Sequence, residues 1–213
     1  MNRFVLLFFF LILPLAAETP KEPGPQLYPG KNDAEWLSLF GALGSRRVVV
    51  AEFSEQRWFP FKKIPVVLKG VMRLAPDLGM SLNYTEPEQR TIIIDARGLI
   101  LREADGRERE IPSDPAALAA ASAMLPILNF DWQKLDRNFL VYAARDGEDW
   151  RLDFVPRDSQ LASRLGRIVA SGQGVLMRHL EFRRSALQRV EILIGETKQG
   201  GSFTPEEKKR YFR

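Results

Sequence analysis

Cysteine is absent from this sequence, and histidine occurs once, as His179. Without cysteine there is no disulfide framework, no thiolate zinc site and no sulfur on which a lipoprotein anchor could be built. A lone imidazole cannot assemble a zinc site. It also completes no serine triad, since nothing nominates the third group that would orient it. No Gly-x-Ser-x-Gly elbow is present. Gly172-Gln173-Gly174 lacks the lysine of a phosphate loop and reads as a hairpin turn. The sequence thus nominates no catalytic residue, no metal ligand and no cofactor site, and the expectation is a protein that is not an enzyme.

Long apolar runs are equally scarce. The one candidate is Phe4 to Leu13, preceded by Arg3 and followed by Pro14, Ala16 and Ala17. A positive start, an apolar stretch and small residues at its end form the secretory signature. The run is about half the roughly 20 residues a membrane-crossing helix needs. Residues 1–17 are therefore read as a cleavable signal peptide, with a soluble periplasmic product beginning near Glu18. Charge is mixed: 31 lysines and arginines against 27 acids give +4, and loss of Arg3 with the signal leaves +3. No basic stripe of the nucleic-acid-binding kind stands out. Lys208-Lys209-Arg210, beside Glu206 and Glu207, reads as a solvated helix end.

Residues 18–32 carry four prolines and read as a flexible leader; residues 33–213 suit a single domain. Asp33 is placed to cap a short helix with Trp36, Leu37, Phe40 and Leu43 at helical spacing and Gly44 as its stop. The period then changes to two. Strands are expected from Val48 to Phe59, Val66 to Leu74, Met80 to Tyr84, Thr91 to Asp95 and Leu99 to Glu103, with Asp105-Gly106 as a hairpin turn. Asp114 and Pro115 start a helical insert whose apolar side is Leu118, Met124, Leu125 and Leu128, and Pro126 kinks or ends it. Strands resume at Phe139 to Ala144, Trp150 to Phe154, Leu165 to Ala170, Leu176 to Phe182 and Leu187 to Ile194. Such alternation wets one sheet face and buries the other, so a long sheet with few helices must curl or use those helices as a lid.

The candidate site is apolar. Met72, Met80 and Met124 fill irregular space. Together with Leu68, Leu82, Ile92, Ile94 and the insert-helix stripe they would line a cavity, an ordinary core being the alternative. Asp149, Arg151 and Asp153 share a strand face and read as a solvated ion pair rather than acid–base machinery. Trp132 and Trp150 read as packing residues.

Several features in order resemble the LolA-like periplasmic outer-membrane lipoprotein carriers. They are a signal peptide, a short helix, Phe53-Ser54-Glu55-Gln56 (similar to that family's Phe-x-Gln element), Gly70 to Leu74 with Pro76, and Tyr84 with Pro87. The strand pair around Asp95 to Leu101, a helical insert and the Trp150-to-Pro156 strand complete the series, from about Trp36 to Phe203. The resemblance implies an open, incomplete antiparallel β-barrel whose helices close over an apolar cavity, with Phe53 and Tyr84 added to its lining. It implies a monomer that carries the acyl chains of a lipoprotein toward the outer membrane, between an inner-membrane donor and an outer-membrane acceptor, without stable membrane insertion and without nucleic acid. An accessory or sensor protein of the cell envelope binding a lipid or pigment precursor is the alternative, with a periplasmic hydrolase, for which no nucleophile–base set is found, ranked behind it. Two departures stand out: Ala75 occupies the position before the turn proline where the family's arginine is expected, and the charged run Arg107-Glu108-Arg109-Glu110 replaces apolar material.

Overall fold

The computed structural model describes residues 23–44, 48–110 and 123–213. The period-two segments pair into one antiparallel sheet of eleven strands. These are β1 (Val49–Trp58), β2 (Val66–Ala75), β3 (Gly79–Glu86), β4 (Arg90–Asp95), β5 (Gly98–Glu103), β6 (Glu108–Glu110), β7 (Phe139–Asp146), β8 (Asp149–Pro156), β9 (Arg167–Gln173), β10 (Leu176–Ser185) and β11 (Gln188–Gln199). Their order, β6-β5-β4-β3-β2-β1-β11-β10-β9-β8-β7, makes two meanders that meet at the β1–β11 pair and, among the described residues, leave β6 and β7 as edges not joined to each other. The barrel is incomplete, as expected. The charged run finds its reason here. β6 lies on a sheet edge with all three residues exposed, and charge on an edge strand discourages pairing with other chains.

One face of the curled sheet is predominantly apolar. Ala51 and Phe53 of β1, Leu82 and Tyr84 of β3, Leu152 and Phe154 of β8, and Ile192 and Ile194 of β11 belong to one buried cluster. Gly70 has no side chain on this face because the Phe53 ring lies across it; a Cβ there would sit 2.9 Å from that ring and 2.2 Å from the Asn83 carbonyl oxygen. Helices α1 (Ala34–Gly44), α2 (helical residues 123–128) and α3 (Trp132–Asn138) contribute Trp36, Leu39, Phe40, Met124, Ile127, Leu128 and Leu135 to the same cluster. In α1 the buried positions are Trp36, Leu39, Phe40 and Leu43. Leu37, expected on the buried stripe, is 45% exposed, because Leu39 completes the i, i+3, i+4, i+7 pattern and Leu37 falls outside it. α2 runs through Pro126 and stops at Asn129–Phe130, where Phe130 adopts a left-handed φ of 49°. Asp114, Pro115 and Leu118 lie outside the described residues.

The leader expected to be flexible as far as residue 32 is instead laid along the sheet in its later part. Gln26 bridges Tyr142, Leu27 donates its amide to the Val141 carbonyl at 2.8 Å, and Leu27 is buried. Free amide and carbonyl groups on the β7 edge explain this: they bind any short extended segment that brings one apolar side chain.

The other sheet face is built from charge and from the C-terminal helix. Asp153 is fully buried there, with Arg151 Nε at 2.9 Å and Arg167 Nε at 2.8 Å from its oxygens. The reading of a solvated pair is corrected: a second arginine from β9, which no local pattern reveals, closes over the carboxylate. α4 (Ser159–Leu165), capped by Asp158, and α5 (Pro205–Tyr211), with a full Thr204–Glu207 capping box, complete the chain. α5 presses Phe203 and Phe212 against Ala75, and Tyr211 stacks 3.5 Å from the Arg73 guanidinium. Arg102 donates to the Phe212 carbonyl at 2.9 Å, while Arg213 grips both Asp95 oxygens at 2.6 and 2.8 Å.

That last grip makes the C-terminus pH-sensitive. Burial alone would raise the Asp95 pKa, but the hydrogen bonds from Arg213 and the Arg97 amide outweigh it and hold the carboxyl below its ordinary range. A depressed folded pKa gives stability that is complete above the unfolded value, about 3.9, and is lost as pH falls through the lower folded value. The ring resonances of Tyr211 and Phe212 should therefore hold steady down to about pH 4 and shift below it. In Asp95→Asn that acid transition should be absent.

Candidate functional site

Beneath the helices the apolar face leaves space. A cleft of about 460 Å³ runs between the β3–β4 wall and the β10–β11 wall, with Met124 of α2 and Leu165 of α4 also lining it. It reaches the sheet end where β1 finishes and β11 starts, for Arg57, Trp58, Phe59, Arg184, Gln188 and Arg189 line it as well. In-register pairing explains the walls. Leu82 faces Ile92 and Met80 faces Ile94, while Leu180 faces Ile192 and Phe182 faces Val190.

Of the residues expected around a cavity, Met80, Leu82, Tyr84, Ile92, Ile94 and Met124 line this cleft. The others lie apart from it. Phe53 packs edge-on against Tyr84 at 5.3 Å, in the core. Leu68 borders a separate cleft beside Phe59 and Phe61, and Met72 and Leu128 meet at a small void of about 40 Å³. Leu125 packs partly buried against the core. Leu118 lies outside the described residues. The second wall, from Leu180, Phe182, Val190 and Ile192, was missed. Its signal was available, since those positions alternate along two strands joined by a short turn.

A buried polar group sits between the apolar walls of this cleft. The Glu55 carboxylate is buried, accepts the Tyr84 hydroxyl proton at 2.5 Å and is paired with the Arg57 guanidinium. Burial, then the neighbouring Glu55 charge, push the Tyr84 hydroxyl well above the ordinary phenol range, so it stays a neutral donor. Burial opposes the Arg57 charge, yet contact with Glu55 wins and strengthens it. Carboxylate, guanidinium and phenol thus satisfy one another, which is the condition for keeping charge in such a place. The trio makes a fixed polar spot on an otherwise apolar wall.

The closure at the other end is aromatic. Trp132 lies 5.3 Å from Phe40 and donates its indole N–H to Asp33 at 2.9 Å, tying α3 to the start of α1. Phe130 meets Trp150 edge-on at 6.1 Å, and Trp150 donates to the Gly174 carbonyl at 2.9 Å. Both tryptophans are packing residues, as expected. Ala75 sits under α5 on the opposite face, so the side chain at that position has no part in holding these helices.

Over residues 29–208 the sequence matches the family described as outer membrane lipoprotein carrier protein LolA-like. The chain belongs to the LolA-like family. The family's description is that of outer membrane lipoprotein carriers. Among solved structures it is similar to a LolA superfamily protein from Nitrosomonas europaea, at 8% identity over 81% of this chain and 96% of that one, TM-score 0.45. It is similar to a putative outer membrane lipoprotein-sorting protein domain from Vibrio parahaemolyticus, at 7% identity over 82% and 96%, TM-score 0.39. A DUF1329 family protein from Desulfovibrio piger is a third, at 10% identity over 80% and 92%, TM-score 0.43. No curated protein matches the chain. None of the described helices is long and apolar enough to cross a membrane.

Proposed function

We propose that this LolA-like chain is a periplasmic carrier that takes up the acyl chains of a lipoprotein, or of a similar acylated molecule, and moves them toward the outer membrane. The observation that carries the reading is the cleft of about 460 Å³, within the span of roughly 300–1,000 Å³ typical of small-molecule sites. Each methylene moved from water into such a lining contributes about 0.8 kcal/mol, so binding needs no catalytic group. Met80 and Met124 let the walls adjust to chains of different length. In the same reading residues 1–17 are an export signal.

The test is direct. Acylated peptide should bind the purified mature chain saturably, and the same peptide without its acyl groups should not. Mass spectrometry of extracts from protein released by osmotic shock should find acylated cargo on a chain beginning near Glu18. If acylated and plain peptide bind alike, the carrier reading fails; a glycerolipid or pigment precursor in the extract would replace lipoprotein as the cargo.

A further inference from the structure

The three most exposed of the large apolar side chains among the described residues are Phe61 at 80%, Ile64 at 75% and Leu187 at 64%. All three sit in turns at the same end of the sheet. Phe61 and Ile64 lie between β1 and β2, Leu187 lies between β10 and β11, and Trp58 at the end of β1 pairs with Arg189 at the start of β11. The two turns are therefore neighbours, and the residues flanking them, Trp58, Phe59, Gln188 and Arg189, line the cleft.

The β1–β2 turn is held in shape. The Lys62 amide donates to the Phe59 carbonyl at 3.0 Å, the Phe59 and Phe61 rings stack at 5.5 Å, and Lys62 lies 5.9 Å over the Phe59 ring. Pro60 and Pro65 bracket it, fixing φ on both sides. Apolar side chains in a preorganised turn stay presented to solvent instead of folding back. Lys62 and Lys63 are exposed between them, and Arg57, Arg164, Arg184 and Arg189 surround the adjoining cleft mouth. The acids near this end are already paired: Glu55 with Arg57, Glu191 with Arg189, Glu86 with Lys69 and Glu88 with Arg90. Lys62 and Lys63 thus put exposed positive charge directly beside Phe61 and Ile64.

We infer that the 59–65 turn, with Leu187 beside it, is an interfacial foot that seats the cleft mouth on an anionic lipid surface. Phe61 and Ile64 enter the headgroup boundary while lysine ammonium groups stay at phosphate level. This is how short amphipathic elements and polybasic residues bind bilayers reversibly. The seating stands apart from the carrier reading; only its consequence, that cargo enters and leaves at the bilayer surface, rests on it.

The experiment uses the mature chain with vesicles of phosphatidylcholine alone and of phosphatidylcholine mixed with phosphatidylglycerol, scored by co-sedimentation. Expected is binding to the mixed vesicles that weakens with salt. Phe61→Ser/Ile64→Ser should weaken it at least about tenfold. Lys62→Glu/Lys63→Glu should abolish the preference for the anionic vesicles. None of these side chains lines the main cleft, so circular dichroism and acylated-peptide binding should match the parent in both variants, which separates failure of the foot from failure of the carrier reading. Equal binding of parent and Phe61→Ser/Ile64→Ser overturns the inference. So does binding to native membranes that protease treatment removes while pure vesicles bind nothing, since the turn then docks on a protein.

Discussion

Leu82→Glu should leave a folded sheet that no longer takes up acylated peptide, with affinity reduced at least about a hundredfold. Leu82 is buried, lies in register with Met72 and Ile92 and forms part of the cleft wall. An ionised carboxylate costs several kcal/mol when it is sealed from water without a partner. In the empty protein the cleft mouth lets water reach the new group, so the sheet tolerates it. An acyl chain would have to expel that water, and the penalty falls on binding. Titration with a fluorescent acylated peptide checks this, with Leu82→Met as the control that keeps the apolar wall. Undiminished affinity in a folded Leu82→Glu protein would remove the cleft from the mechanism.

Asp153→Ala should cost about 3 kcal/mol, the lower end for breaking a buried ion pair, because Arg151 and Arg167 keep some contact with water. Asp153 accepts from both arginines at 2.8 to 2.9 Å on the face away from the cleft. Its loss leaves two adjacent guanidinium groups without their shared acceptor, while the nearby Glu181 charge is engaged by Arg183. A domain of this size should then melt about 6–12 °C lower. Acylated-peptide affinity should be unchanged at a temperature where both proteins are folded. A thermal scan giving the parental midpoint would show that the trio adds nothing net.

The strands were legible because one face is wet and the other apolar, which prints a period of two onto nearly every segment. Met80, Leu82, Ile92 and Ile94 could be placed on one buried face for that reason, while the family resemblance supplied the expectation that this face lines a cavity. Met72 could not be told from them, since alternation fixes a face but not the position along a curled sheet; it lies on the same face over a smaller void. The Glu55–Arg57–Tyr84 trio was hidden because its partners come from β1 and β3, far apart in the chain, and a glutamate in an alternating strand reads as surface. Asp153 was misjudged for the same reason, its second arginine arriving from β9. Helix α4 was missed because its seven residues have no buried member and offer only Leu161 and Leu165, a pair too short to set a period.

The strand order has a consequence for how the chain comes to be folded. Among the described residues every ladder joins strands consecutive in the chain except β1–β11, which brings Trp58 to Arg189 and Val49 to Gln199. Each meander can zip from its own short turns, whereas that seam must wait for residues more than a hundred positions later, and such distant closures are slow. Until β11 arrives, β1 offers a ladder-ready edge with Ala51 and Phe53 on one side, the sort of edge that recruits other chains. A fragment ending before residue 188 is therefore the form of this protein most prone to aggregate, and the last strand to be made is the one that removes the hazard.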